Sequence, residues 1–449
     1  MDGVPVPKCE SEPTKRIART PRRFPWRLLV NHYALRVVIL LAGLALTTPH
    51  LAFGGDPFEL RDGDRIVLIG DDLIERNQKL GYLETQLIIR NPDKSLIFRN
   101  LGWSADTVFG DSRAGFGTRA DGFQQLKSHV LGLKPSVIVV GYGMSDSFAG
   151  EPGLLAFEKG LGTLLDTLEE SKASIVLLGP IEHESLGSPL PNPRGHNRSL
   201  ELYRDVLARA AQARKSPFVD LSQLDPVGAE TALETPARAE APLTSNGIHL
   251  NAKGYWVVDT KIANALSYEN EWKCSVRLNG DEPVASNGVE VSGLRSIPNG
   301  IRFEGRLQRL PDPSAPKDAI GEATGDRQSI TLEYKGLKPG RYALKIDGKP
   351  VRTASADEWG NWRLTNGPDH SQTEALRTLV NEKNRLYFYR WRPQNETYLF
   401  GFRKHEQGNN AREIPLFDPL VEAKEKEIAR LRVPVSHVYE LIRESEVGQ

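Results

Sequence analysis

In Ile66-Val67-Leu68-Ile69-Gly70-Asp71-Asp72-Leu73 an unbroken apolar run, 66–69, gives way to glycine and two aspartates. A second such run, Val137-Ile138-Val139-Val140, ends in Gly141-Tyr142-Gly143-Met144-Ser145-Asp146. Apolar, largely β-branched runs without alternation suit strands buried on both faces, as parallel sheets require. Three shorter runs, Leu96–Arg99, Ile175–Leu178 and Phe218–Leu221, extend the series. Between the runs the period changes to that of a helix. Leu154, Phe157, Leu161, Leu164, Leu165 and Leu168 share one face, and Tyr82, Leu83, Leu87 and Ile88 behave likewise. A last helix is predicted over Ala252–Leu266. Strands alternating with helices imply an α/β domain with a parallel sheet covered on both sides.

Ligands of such sheets bind beyond the carboxyl ends of the strands. The residues there are Gly70-Asp71-Asp72-Leu73, then Asn100-Leu101-Gly102-Trp103-Ser104-Ala105-Asp106-Thr107, then Gly141–Asp146. Asn246-Gly247-Ile248-His249 precedes the final helix. These four segments, in this order, resemble the four sequence blocks of the SGNH (GDSL-type) hydrolases over residues 65–267. The resemblance implies a three-layer, flavodoxin-like domain and hydrolysis of esters or O-acyl groups, carbohydrate-linked ones among them. It also implies a role for each matching residue. Asp72 stands at the place of the nucleophilic serine. His249 matches the base, and Asn246 takes the place of its aspartate. Gly102 and Ser145 match the two oxyanion donors, Ser145 in place of an asparagine.

The substituted residues change the expected chemistry. A carboxylate lacks the hydroxyl that a base would activate, and its charge opposes a developing oxyanion. Asparagine beside the imidazole supplies no charge to stabilise imidazolium; the equivalent change in a serine protease costs about 10⁴ in rate. An Asp72 facing His249 is expected to raise the histidine pKa and to polarise water without a covalent intermediate. Two functions therefore stay open. One is a hydrolase with altered machinery; the other is a catalytically inactive relative that binds an acylated ligand or glycan.

The remaining sequence bounds the chain. Lysine plus arginine and aspartate plus glutamate are 58 each, so no global field draws nucleic acid. Residues 1–36 nevertheless hold eight basic and three acidic residues, followed by the apolar run Val37–Leu46. That run falls short of the ~20 residues a membrane span needs. Residues 1–54 are read as a basic n-region with an export signal, or alternatively a membrane anchor. The domain occupies 60–268. Alternation such as Ile330, Leu332, Tyr334 predicts a small antiparallel β module over 270–366, with turns at Lys338-Pro339-Gly340 and Asp347-Gly348. Residues 370–449 are predicted helical. No metal-ligand spacing and no phosphate-loop lysine occur, so no metal or cofactor is expected. Arg392, Arg403, His405 and Glu406 are candidates for contacts between the tail and the domain. The sequence leaves the oligomeric state open.

Overall fold

The computed structural model describes residues 58–224, 242–267, 274–279, 282–316 and 329–444. The expected export segment, 1–54, lies outside them. The five apolar runs form β1 (Arg65–Gly70), β2 (Ile97–Asn100), β3 (Val137–Gly141), β4 (Ser174–Leu178) and β5 (Phe218–Val219). They pair in parallel in the order β2-β1-β3-β4-β5. The order reverses between β1 and β3, which makes their carboxyl ends the topological switch point.

Alternate strand residues face opposite layers. Ile66, Leu68, Val139 and Val176 lie in one core cluster, with Leu83, Leu87 and Trp256. Val67, Ile69, Ile138, Val140 and Leu177 lie in the other, with Leu161, Leu164 and Leu165. This double burial is why the strands read as continuous apolar runs. The helices are α1 (Asp72–Asn77), α2 (Tyr82–Arg90), α3 (Arg119–Gly132), α4 (Leu154–Glu169), α5 (Arg194–Arg214) and α6 (Ala252–Leu266). The three-layer α/β architecture is therefore as expected.

The period-2 region builds two further sheets. β6 (Cys274–Asn279), β7 (Glu282–Asn287), β10 (Ile330–Lys335) and β13 (Trp362–Leu364) form one, in the order β13-β10-β6-β7. The other contains β8 (Val289–Ile297), β9 (Gly300–Leu307), β11 (Arg341–Ile346) and β12 (Lys349–Ser355). Pairing is antiparallel except between β6 and β10. Val276, Leu332, Tyr334, Phe303, Leu344 and Trp359 share one apolar cluster between them.

The tail begins with α7 (Pro368–Trp391) and includes α8 (Phe417–Leu431). α7 places Leu376 and Val380 in the first core cluster. Its Lys383 forms a buried ion pair with Glu84 of α2 at 2.7 Å. The chain then supplies a strand that the sequence reading left inside the helical segment. β14 (Ser436–Arg443) enters between β9 and β11 and pairs antiparallel with both. The tail thus returns to complete the β module.

Candidate active site

Gly70 ends β1 where a Cβ would stand 2.3 Å from the Gly141 carbonyl oxygen, so only glycine lets β1 and β3 approach there. Asp71 follows as the N-cap of α1. Its Oδ1 accepts from Leu73 N at 3.3 Å and its Oδ2 from Ser145 N at 3.1 Å. Burial raises its pKa to about 8, against those two donors. Asp71 is thus a tie between the β1 and β3 exits.

Asp72 opens α1 and points into the cleft. Its Oδ1 lies 3.5 Å from His249 Nε2 and accepts from Arg76 Nε at 3.4 Å. Its Oδ2 accepts from Ala105 N at 3.0 Å. The His249 separation is slightly longer than the ~2.6–3.2 Å of a tight proton-transfer contact. Ala105 adopts φ +60°, a left-handed conformation rare for a residue with a Cβ.

His249 is carried by the segment before α6. That segment is anchored by Glu184, whose carboxylate accepts from Leu243 N, Thr244 N and the Thr244 hydroxyl at 2.9, 2.8 and 2.6 Å. Asn246 Oδ1 accepts from His249 N at 2.8 Å and from Ile248 N at 3.2 Å, which fixes the amide orientation. Its Nδ2 therefore faces His249 Nδ1, at 3.1 Å. An amide NH₂ only donates, so Nδ1 must accept and the ring proton sits on Nε2, toward Asp72. The His249 pKa is lowered, by burial first and by the Arg76 charge second, with Asp72 pulling the other way. The expected rise is overturned: desolvation and a neighbouring cation outweigh one carboxylate at 3.5 Å.

The structure brings Asp72, His249 and Asn246 together but not the two expected oxyanion donors. Gly102 N donates to Asn100 Oδ1 at 2.8 Å. Gly102 is glycine for packing, since a Cβ would stand 2.3 Å from Glu75 N. Ser145 spends its N–H on Asp71. Neither residue lines the cleft. The loop N–H that meets the Asp72 carboxylate is that of Ala105, three residues beyond Gly102. Arg76 was also missed; its signal is the four-residue spacing from Asp72 on a helix. Glu184 gave none.

The cleft has about 390 Å³ of empty volume. Leu73, Met144, Pro180, Ile181, Ile248 and Tyr255 make it largely apolar around Asp72, Arg76 and His249. Of the four tail residues, Arg392 reaches the domain and pairs with Glu75 at 2.9 Å. Arg403 and His405 instead approach Glu406, at 2.5 and 3.6 Å.

Residues 68–257 match the GDSL-like lipase/acylhydrolase family. This region is a GDSL-like lipase/acylhydrolase domain. No curated protein matches the sequence. Among solved structures, a gut microbial diltiazem-metabolizing enzyme superposes with a TM-score of 0.66 at 15% identity, covering 86% of this chain and 98% of its own. The likeness is one of fold, and it extends beyond the GDSL-like domain into the β module and tail. An acetylxylan esterase from Geobacillus stearothermophilus overlaps with a TM-score of 0.35 at 18% identity, over 46% of this chain and 96% of its own. A GDSL-like lipase from Bacteroides thetaiotaomicron gives 0.30 at 20% identity, over 45% and 87%.

Proposed function

We propose that the GDSL-like domain hydrolyses short O-acyl esters, O-acylated carbohydrates included, by direct attack of water. The observation that carries this reading is the disposition of the Asp72 carboxylate. Ala105 N–H holds Oδ2, which leaves Oδ1 between Arg76 and the protonated nitrogen of His249. In the proposed step, Asp72 Oδ1 takes a proton from water while the water oxygen bonds to the acyl carbon. The carbonyl oxygen gains the electron pair and is stabilised by Arg76 and His249 Nε2–H. Collapse breaks the ester C–O bond, and the alkoxide leaves with the proton from Asp72. The serine-type roles are exchanged: the carboxylate is the base and the imidazole is the donor.

A second reading, a binding protein without turnover, is favoured by the Asn246 contact, since a histidine held in this tautomer has no lone pair toward the cleft. The basic and apolar segment before residue 54 supports export or N-terminal anchoring for either reading.

Hydrolysis of p-nitrophenyl acetate by the purified protein tests the choice. Turnover that His249→Ala lowers at least about ten-fold supports water attack with a histidine donor. No turnover above the heat-inactivated protein leaves the binding reading.

A further inference from the structure

We propose that Arg392, just beyond the last turn of α7, is a positioning residue for the site: it fixes the loop whose N–H holds Asp72. Three contacts form the relay. Arg392 Nη1 donates to Glu75 Oε2 at 2.9 Å. The same Glu75 oxygen accepts from Ser104 N at 2.5 Å. The next N–H, that of Ala105, donates to Asp72 Oδ2 at 3.0 Å. Arg392 also contacts the loop through Trp103. Its guanidinium carbon lies 3.7 Å from the centre of the Trp103 ring, and Trp391 meets that ring edge-on at 5.8 Å.

The arrangement is more than helix packing. Glu75 and Asp72 sit on the same short helix, so Glu75 ties α1 to the loop at a second point beside Asp72. Ala105 is held at φ +60°, a left-handed conformation that a residue with a Cβ rarely adopts. A loop kept in a strained conformation needs surroundings that over-determine it. Arg392, Trp391 and the buried Arg113–Asp106 pair at 2.8 Å are those surroundings. Arg392 and Trp391 are contributed from outside the GDSL-like domain, and the planar fork of Arg392 can pair with a carboxylate and stack on an indole at once.

The proposal deepens the reading of Asp72 as the reacting group, but its test does not require turnover. Hydrogen exchange by mass spectrometry, on the full chain, reads the 102–107 loop directly in Arg392→Gln, Arg392→Lys and Arg390→Gln. Arg390 pairs with Asp418 within the tail and serves as the control. Expected is loop exchange about ten-fold faster in Arg392→Gln, intermediate in Arg392→Lys, and unchanged in Arg390→Gln. Ester turnover should lose kcat with KM unchanged. Glu75→Gln repeats the experiment from the other partner if Arg392→Gln does not fold. Unchanged loop exchange in Arg392→Gln overturns the proposal. So does an equal rise across α7, β2 and the loop, which marks a purely structural role. A wild-type protein without esterase activity removes the hydrolase reading, and the exchange comparison still decides the relay.

Discussion

Asn246 Nδ2 lies 3.1 Å from His249 Nδ1, with Asn246 Oδ1 already taken by the N–H groups of Ile248 and His249. The imidazole is therefore held neutral with its proton on Nε2. An aspartate there would do the reverse, accepting a proton from Nδ1 and freeing Nε2 to act as a base. One side-chain atom changes the chemical sense of the histidine.

Asn246→Asp should reverse that sense. A carboxylate at this distance favours imidazolium, so the His249 pKa should rise from its depressed value by about 1–2 units. NMR titration of the His249 ring measures it. A pKa that stays below the ordinary histidine range would mean that burial and Arg76, not Asn246, control the ring.

The rate profile should lack a histidine limb. Burial, aided by the Arg76 charge, holds the His249 pKa below its ordinary value. Ester hydrolysis is expected to stay flat through about pH 6.5, the usual imidazole midpoint. A rise centred there would identify His249 as the base and contradict the exchanged roles.

Ala105→Gly should stabilise the fold. It relieves the left-handed strain at φ +60° while making the unfolded chain more flexible, for a net gain of about 0.5–1 kcal/mol. Urea unfolding measures this, and a lower midpoint would show the alanine methyl to be packed usefully.

Stability should fall as pH rises from 6.5 to 8. Burial raises Asp71 to about 8 and Asp146 to about 7, so the folded chain keeps protons that the unfolded chain has released. Above the unfolded pKa of these groups, increasing pH therefore favours unfolding. The loss over this window is on the order of 2 kcal/mol. His129 and His183 are lowered to about 4. Their contribution is complete above pH 6.5 and fails only under more acidic conditions. Calorimetry at pH 6.5 and 8 checks the sign; greater stability at pH 8 would show both aspartates ionised in the folded protein.

The parallel sheet was legible because its apolar runs, such as Val137–Val140, are short, β-branched and closed by glycine, which suits a strand buried on both faces better than a helix. The meeting of Asp72 with His249 was legible because strand ends and the start of α6 converge at a switch point. β14 was not. Its Tyr439 and Leu441 are buried, but Val438 and Ile442 on the other face are apolar too, so the period-2 contrast is weak. Its partners, β9 and β11, lie far back along the chain. The partner of the Gly102 N–H was not legible because a glycine can serve close packing or a free N–H, and only coordinates tell them apart. At Gly102 it is packing; the N–H that meets Asp72 belongs to Ala105, whose side chain gives no hint of it. The direction of the His249 shift depends on burial and on Arg76, neither of which follows from the residue at position 72 alone.

In the proposed reaction the Asp72 carboxylate is the base for water attack. Steady-state and pre-steady-state hydrolysis of p-nitrophenyl acetate by the wild type and Asp72→Asn tests it most directly. Expected are linear release of p-nitrophenolate with no burst, and a loss of at least about 100-fold in kcat for the variant. A stoichiometric burst, or an Asp72→Asn protein as active as the wild type, would contradict it.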